Sequence, residues 1–226
     1  MKRIYLKLSL LLFFILSMTY AQGQVMAVTE NGDTIFVYAN GTWSFELLEE
    51  MPEPENDLAY LSEEVVLDTI ATHFKIPSGS KKQVEDSYEL FTIKYNDSLW
   101  KRVPPATLND EAEFAFEGKN TDIWCVVIAE ETPIAMDKLF LIAKNNMKEF
   151  TGSNPEVIKT ELRTVNDQQV VRGVMRAQLS GITFIFDTYY YSNHLGSVQF
   201  TTWTSDRIWE KNESMILDLL NGFVAR

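Results

Sequence analysis

The chain has one cysteine, two histidines and seven prolines in 226 residues. A single thiol, Cys125, permits no internal disulfide, so an ordinary hydrophobic core must hold the fold. The two histidines, His73 and His194, have no second His, Cys or carboxylate at ligand spacing, which argues against a zinc site. No G-x-S-x-G elbow is present, and no G-x-G-x-x-G follows a strand. Ser78-Gly79-Ser80-Lys81 shares composition with a phosphate loop but lacks the G-x-x-x-x-G-K-[ST] spacing. Positive charge is scarce: 20 Lys and Arg stand against 32 Asp and Glu, a net charge of −12. That balance disfavours nucleic acid or anionic lipid as a partner. Long apolar runs are also missing. The longest, Leu8 to Met18, has eleven residues, well short of the roughly 20 that span a bilayer as a helix.

What is present at the start has a different logic. Lys2, Arg3 and Lys7 precede the apolar run, and Thr19-Tyr20-Ala21 supplies small residues for a cut after Ala21. Residues 1–21 therefore read as a secretory signal peptide, with mature protein starting at Gln22. The segment contains no cysteine, so lipid attachment of the bacterial lipoprotein type is excluded. Cleavage removes three positive charges, which takes the net charge from −12 to −15 over the remaining 205 residues. The expected destination is the periplasm or the extracellular space.

Residues 22–46 carry two Asn-Gly pairs, Asn31-Gly32 and Asn40-Gly41, each flanked by short runs rich in Val, Ile, Phe, Tyr and Thr. Asn-Gly between such runs favours hairpin turns with positive φ, so a three-stranded meander is expected. So small a module has no independent core and must pack on something. Trp43 is its packing anchor or an exposed contact residue. Residues 47–83 follow as a linker, acidic and proline-containing at 47–57 and ambiguous between helix and strand at 58–76.

Residues 84–226 read as the main domain. Strands are expected over 88–95, 112–116 and 122–129, the last apolar on both faces, with Cys125 buried inside it. Trp100 is placed in a loop. Thr132-Pro133 should open a helix through Phe150, with Thr132 as N-cap and Gly152 ending it. Strands over 156–165 and 169–179 surround an Asn166-Asp167 turn. Two long strands then occupy 182–204, turning at Asn193 to Gly196, where Gly196 is free to take a positive φ. A last helix, capped by Ser205 or Asp206, ends at Gly222. Phe184 and Leu139 are expected in the core.

Tyr189 and Tyr191 share one face of their strand, while Tyr190 shares the other with Phe184 and Phe186. Were the first face only partly covered, Tyr189 and Tyr191 would form an amphipathic contact surface. Asp187 lies mid-strand among these aromatics. It points to the solvated face, pairs with a neighbouring basic residue such as Arg172 or Arg176, or serves as a catalytic acid of raised pKa.

Strand runs around isolated helices indicate an α+β fold, an antiparallel sheet flanked by helices. Y-N-D-S-L-W at 95–100, the Thr-Pro helix at 132–150, V-N-D-Q at 165–168 and S-G-I-T-F-I-F-D-T-Y-Y-Y-S-N at 180–193 resemble the PsbP/DcrB-like fold. The last motif resembles a group of uncharacterised secreted bacterial proteins, and G-D-T-I-x-V-Y-x-N-G-T-W resembles a short N-terminal module of such proteins. The resemblance implies an α/β/α sandwich and a mostly non-catalytic family. The expected function is an exported binding or accessory protein of the bacterial envelope, with Trp43, Tyr189, Tyr191 and Asp187 as contact residues, an unknown protein or envelope component as partner, and no cofactor. The alternative is an envelope hydrolase or transferase built from scattered carboxylates and tyrosines.

Overall fold

The structure is a computed structural model that describes residues 25–28, 34–37, 43–45 and 58–226. The signal peptide, both Asn-Gly turns and the acidic linker over 47–57 lie outside the described residues. The chain divides into two compact units, Met1–Asp57 and Leu58–Arg226. In the first, β1 (Val25–Val28), β2 (Thr34–Val37) and β3 (Trp43–Ser44) pair antiparallel in the order β1-β2-β3. This is the expected meander. Trp43 pairs with Val37; its side chain lies outside the described part.

The second unit begins at Leu58, so it includes the segment whose type the sequence leaves ambiguous. A 3-10 turn over Ala59–Ser62 leads to β4 (Asp68–Phe74) and β5 (Lys82–Glu85). Then come β6 (Phe91–Tyr95), β7 (Trp100–Val103), β8 (Phe114–Gly118) and β9 (Trp124–Glu130). Helix α1 (Met136–Thr151) is followed by β10 (Glu156–Val165), β11 (Gln168–Leu179), β12 (Ile182–Asn193) and β13 (Gly196–Ser205). Helix α2 (Asp206–Leu220) and β14 (Phe223–Ala225) close the chain.

Eight strands form one sheet in the order β4-β10-β11-β12-β13-β9-β8-β7, and β14-β6-β5 form a second. The fold is α+β, as expected, but the large sheet is mixed, because β4 runs parallel to β10 at its edge. Helix α1 lies across β11 and β12. On the other face α2 packs on β12, β13 and β6. The main core lies on this second face and gathers Phe91, Trp100, Phe116, Tyr189, Phe200, Ile216 and Phe223.

The departures from expectation have local causes. Trp100 opens a strand and is buried, where a loop was predicted. Helix α1 starts at Met136 behind Ala135, with no side-chain cap. Thr132 is not its N-cap, because Ile134 stays outside the helix to pack against the cluster of Leu139, Phe140 and Tyr190. Gly196 does not take a positive φ. It is required for a close approach instead: a Cβ there would meet the Glu130 carbonyl oxygen at 2.2 Å. The Asn166-Asp167 turn does use the left-handed region twice, with φ 48° and 69°. β14 was not foreseen; it pairs with β6 across the short second sheet.

Candidate functional site

The sequence points to β12, and its two faces have different fates. Asp187 and Tyr189 face α2. Asp187 is completely buried. Arg172, on β11 opposite Tyr189 and so diagonal to Asp187, is also buried; it donates from Nε to Oδ1 at 2.8 Å and from Nη2 to Oδ2 at 2.6 Å. Such a two-pronged pairing matches a planar guanidinium to a carboxylate. Trp209 Nε1 on α2 adds a donor to Oδ2 at 3.3 Å. Arg172 also reaches Glu213 at 2.9 Å and Glu161 at 3.4 Å. Burial works to lower the pKa of Arg172, but hydrogen bonds and charge from Asp187, Glu213 and Glu161 raise it further, so it stays a cation. Glu213 is partly desolvated, yet Arg172 and Lys159 hold its carboxyl below the ordinary value.

The network continues outward. Arg163 Nε donates to Glu161 at 2.7 Å, its Nη1 donates to the Tyr189 hydroxyl at 3.2 Å, and that hydroxyl donates to Asn221 Oδ1 at 2.8 Å. Burial pushes the Tyr189 pKa up to about 12. Arg172, Asp187, Arg163 and Tyr189 are buried and each has a partner, while Glu213 and Lys159 reach solvent at the rim, so the network locks α2 to the sheet. Tyr189 and Tyr191 are 1 % and 7 % exposed, and neither presents a contact surface to a partner. Asp187 is paired with Arg172, one of the readings its position allowed, and does not point to a solvated face.

The opposite face holds the opening. Helix α1 covers β11 and β12, and a separate cluster of Val103, Ala115 and Val126 forms over β7 to β9. Between them the sheet is left partly bare. The result is a groove of about 460 Å³, within the range of small-molecule sites. One wall is the α1 stripe Ala143, Asn146, Met147 and Phe150, spaced to share a helix face. Leu108 and Asn109 supply the other wall. The floor is Met175 and Leu179 from β11, alternate residues of β12 (Phe184, Phe186, Thr188, Tyr190) and of β13 (Gln199, Thr201, Trp203), and Val126 and Ile128 from β9. No Asp, Glu, His, Lys, Arg or Cys lines it among the described residues. On the floor the polar side chains pair across the strands, Thr188 facing Thr201 and Tyr190 facing Gln199, and Asn109 and Asn146 add one amide to each wall. Phe184, expected in the core, is a lining residue here, whereas Leu139 is buried as expected.

Phe150, on the helix wall of the groove, is 69 % exposed. Trp203, on the floor, stacks on Trp124 at 6.3 Å between ring centroids.

Other chemistry is sparse. Cys125 is fully buried, and burial raises its thiol pKa well above the ordinary value. No group of three His, Cys, Asp or Glu side chains among the described residues is placed to hold a metal ion. His73 and His194 are exposed and far apart in the fold. No helix of the described residues is long and apolar enough to cross a membrane.

No protein-family model matches the chain, and no curated protein does. Among solved structures it is similar to cyanobacterial PsbP (CyanoP) from Synechocystis sp. PCC 6803, at 14 % identity, covering 67 % of this chain and 95 % of that one, with a TM-score of 0.50. It also shows similarity to a Bacteroides thetaiotaomicron structure, at 11 % identity, 65 % and 49 % coverage and a TM-score of 0.42. LpqN of Mycobacterium tuberculosis, described as involved in cell envelope biogenesis, gives 13 % identity, 62 % and 84 % coverage and a TM-score of 0.41. The first of these carries the fold and nothing further; the other two are too distant to carry an argument.

Proposed function

We propose that this chain, which has a PsbP-like fold, is an exported binding protein without catalytic function, and that the groove beside α1 takes its ligand, an apolar small molecule. The observation that carries this is the lining: a concave site of about 460 Å³ with no charged side chain among the described residues. General acid–base or nucleophilic chemistry needs a titratable group within hydrogen-bond reach of the reacting atoms. Tyr190 is the one titratable residue on the lining, and burial drives its pKa far above neutrality. The hydrolase alternative therefore draws no support from this site. Export rests on the basic and apolar segments of residues 2–21, and the net charge of −15 after cleavage suits a soluble carrier.

The test is binding of Nile red, an uncharged dye that brightens in apolar surroundings. Saturable binding is expected, weakened about tenfold or more by Ala143→Phe, which fills the groove from α1. Arg207→Ala on the opposite helix serves as the control and should bind as the unaltered protein does. Equal binding by the Ala143→Phe protein, with its fold intact by circular dichroism, would rule out the groove.

A further inference from the structure

Among the described residues that line the groove, one fully buried polar atom is left without a hydrogen-bond partner. Tyr190 is completely buried, and its hydroxyl has no hydrogen-bond partner of good geometry. Thr188, two residues back on the same face, lowers the Tyr190 pKa against the larger effect of burial, and its hydroxyl donates to Thr201 at 3.1 Å. The contrast with Tyr189 on the same strand is direct, since the Tyr189 hydroxyl both accepts and donates. A buried hydroxyl without a partner carries a full desolvation cost that a phenylalanine would avoid.

The ring cannot turn away to find a partner. Phe140 of α1 packs edge-on against it at 6.0 Å and 86°. A Cβ on Gly173 would meet the Phe140 ring at 2.6 Å and the Tyr190 ring at 3.1 Å, so the three groups are already in close contact. Opposite Tyr190 on β13 stands Gln199, whose side-chain amide also lines the groove and makes no hydrogen bond among the described residues.

The groove thus has direction. Its Tyr190 end lies under the first half of α1 and holds a free hydroxyl and a free amide. The other end, at Leu179, Phe184 and the exposed Phe150, is apolar and open. Six residues of β12 separate Phe184 from Tyr190, about 20 Å at a rise of about 3.3 Å per residue. No cation lines this path among the described residues. An ionised group carried to Tyr190 would therefore be desolvated with no counter-charge.

Resting on the binding reading above, we propose that the groove's ligand is an elongated, uncharged apolar molecule with one oxygen function. Its carbonyl or hydroxyl oxygen accepts the Tyr190 hydroxyl proton, Gln199 supplies a second hydrogen bond, and the apolar body runs out over Phe186 and Trp203 toward Phe150.

The experiment is displacement of Nile red from the full chain by four probes of matched length: dodecane, lauryl alcohol, lauryl methyl ketone and laurate. The alcohol and the ketone should displace the dye about tenfold better than dodecane does. Laurate at neutral pH should displace it least of the oxygenated probes. Tyr190→Phe should keep or raise the melting temperature and keep the binding of dodecane while losing the preference for alcohol and ketone. Equal displacement by all four probes, a preference for laurate, or a preference that survives in Tyr190→Phe would overturn the oxygen assignment and leave groove binding standing. Failure of Nile red and all four probes to bind would overturn the binding reading itself.

Discussion

Replacing Arg172 with methionine separates an interlocking network from a set of incidental contacts. Arg172 makes four hydrogen bonds: two to Asp187, one to Glu213 and one to Glu161. Its loss leaves Glu161 with Arg163 and Glu213 with Lys159, so both retain a cation. Asp187 keeps only the Trp209 N–H at 3.3 Å and remains fully buried. An uncompensated buried charge of this kind typically costs about 3–5 kcal/mol. Asp187→Asn should cost less, about 1.5–3 kcal/mol, because Arg172 retains two carboxylates. The double change Arg172→Met with Asp187→Leu should recover much of the loss, since apolar residues of similar volume replace buried ion pairs at little cost. Urea unfolding at neutral pH measures these differences. A single Arg172→Met variant within about 1 kcal/mol of the parent at neutral pH, or no better than the double, would refute the reasoning.

Further outcomes follow from other sites. Glu113 has its pKa raised from 4.5 to about 7, by burial first and then by Asp86, against the Ser87 N–H that lowers it. One oxygen of each carboxyl, Asp86 Oδ1 and Glu113 Oε2, is buried without a partner, so a proton between them completes the pair. The raised folded-state pKa means this contribution is full below 4.5 and is lost as pH climbs to about 7. Glu113→Gln should flatten that slope and stabilise the protein above neutrality by about 1–2 kcal/mol after solvent screening, read by thermal melts across pH. Gly173→Ala should cost about 1–3 kcal/mol in urea unfolding, because its methyl enters the Phe140 ring. Mass spectrometry of protein secreted by its own host should find the chain starting at Gln22; full-length chain in the inner membrane would contradict export.

Much of the fold was legible because its signals are local. Alternating strands from Glu156 to Ser205, the Asn166-Asp167 turn and the apolar stripe of α1 are each written in consecutive residues. β4 was left ambiguous and β14 was not foreseen, because each is an edge strand that exists through distant partners, Glu161 to Val165 and Phe91 to Ile93. The site was half legible. The sequence shows that Tyr189 and Tyr190 point to opposite faces, but both faces are equally aromatic. Which one stays open depends on α1 stopping at β12, and no periodicity records that. Arg172 and Arg163 were the available clue: two arginines in neighbouring strands on the Asp187 and Tyr189 face announce a sealed charge network.

Methyl chemical shifts on adding lauryl alcohol test the central claim most directly, because the two faces of the sheet carry separate reporters. Met147, Met175, Val126 and Ile128 line the groove, while Val127, Ile185 and Ile216 are buried on or against the α2 face. The groove account predicts saturable shifts in the first set and still signals in the second, with the shifts nearest Thr188 and Tyr190 reduced by Tyr190→Phe. Shifts centred on the α2 face, or none in the groove at saturating ligand, would contradict it.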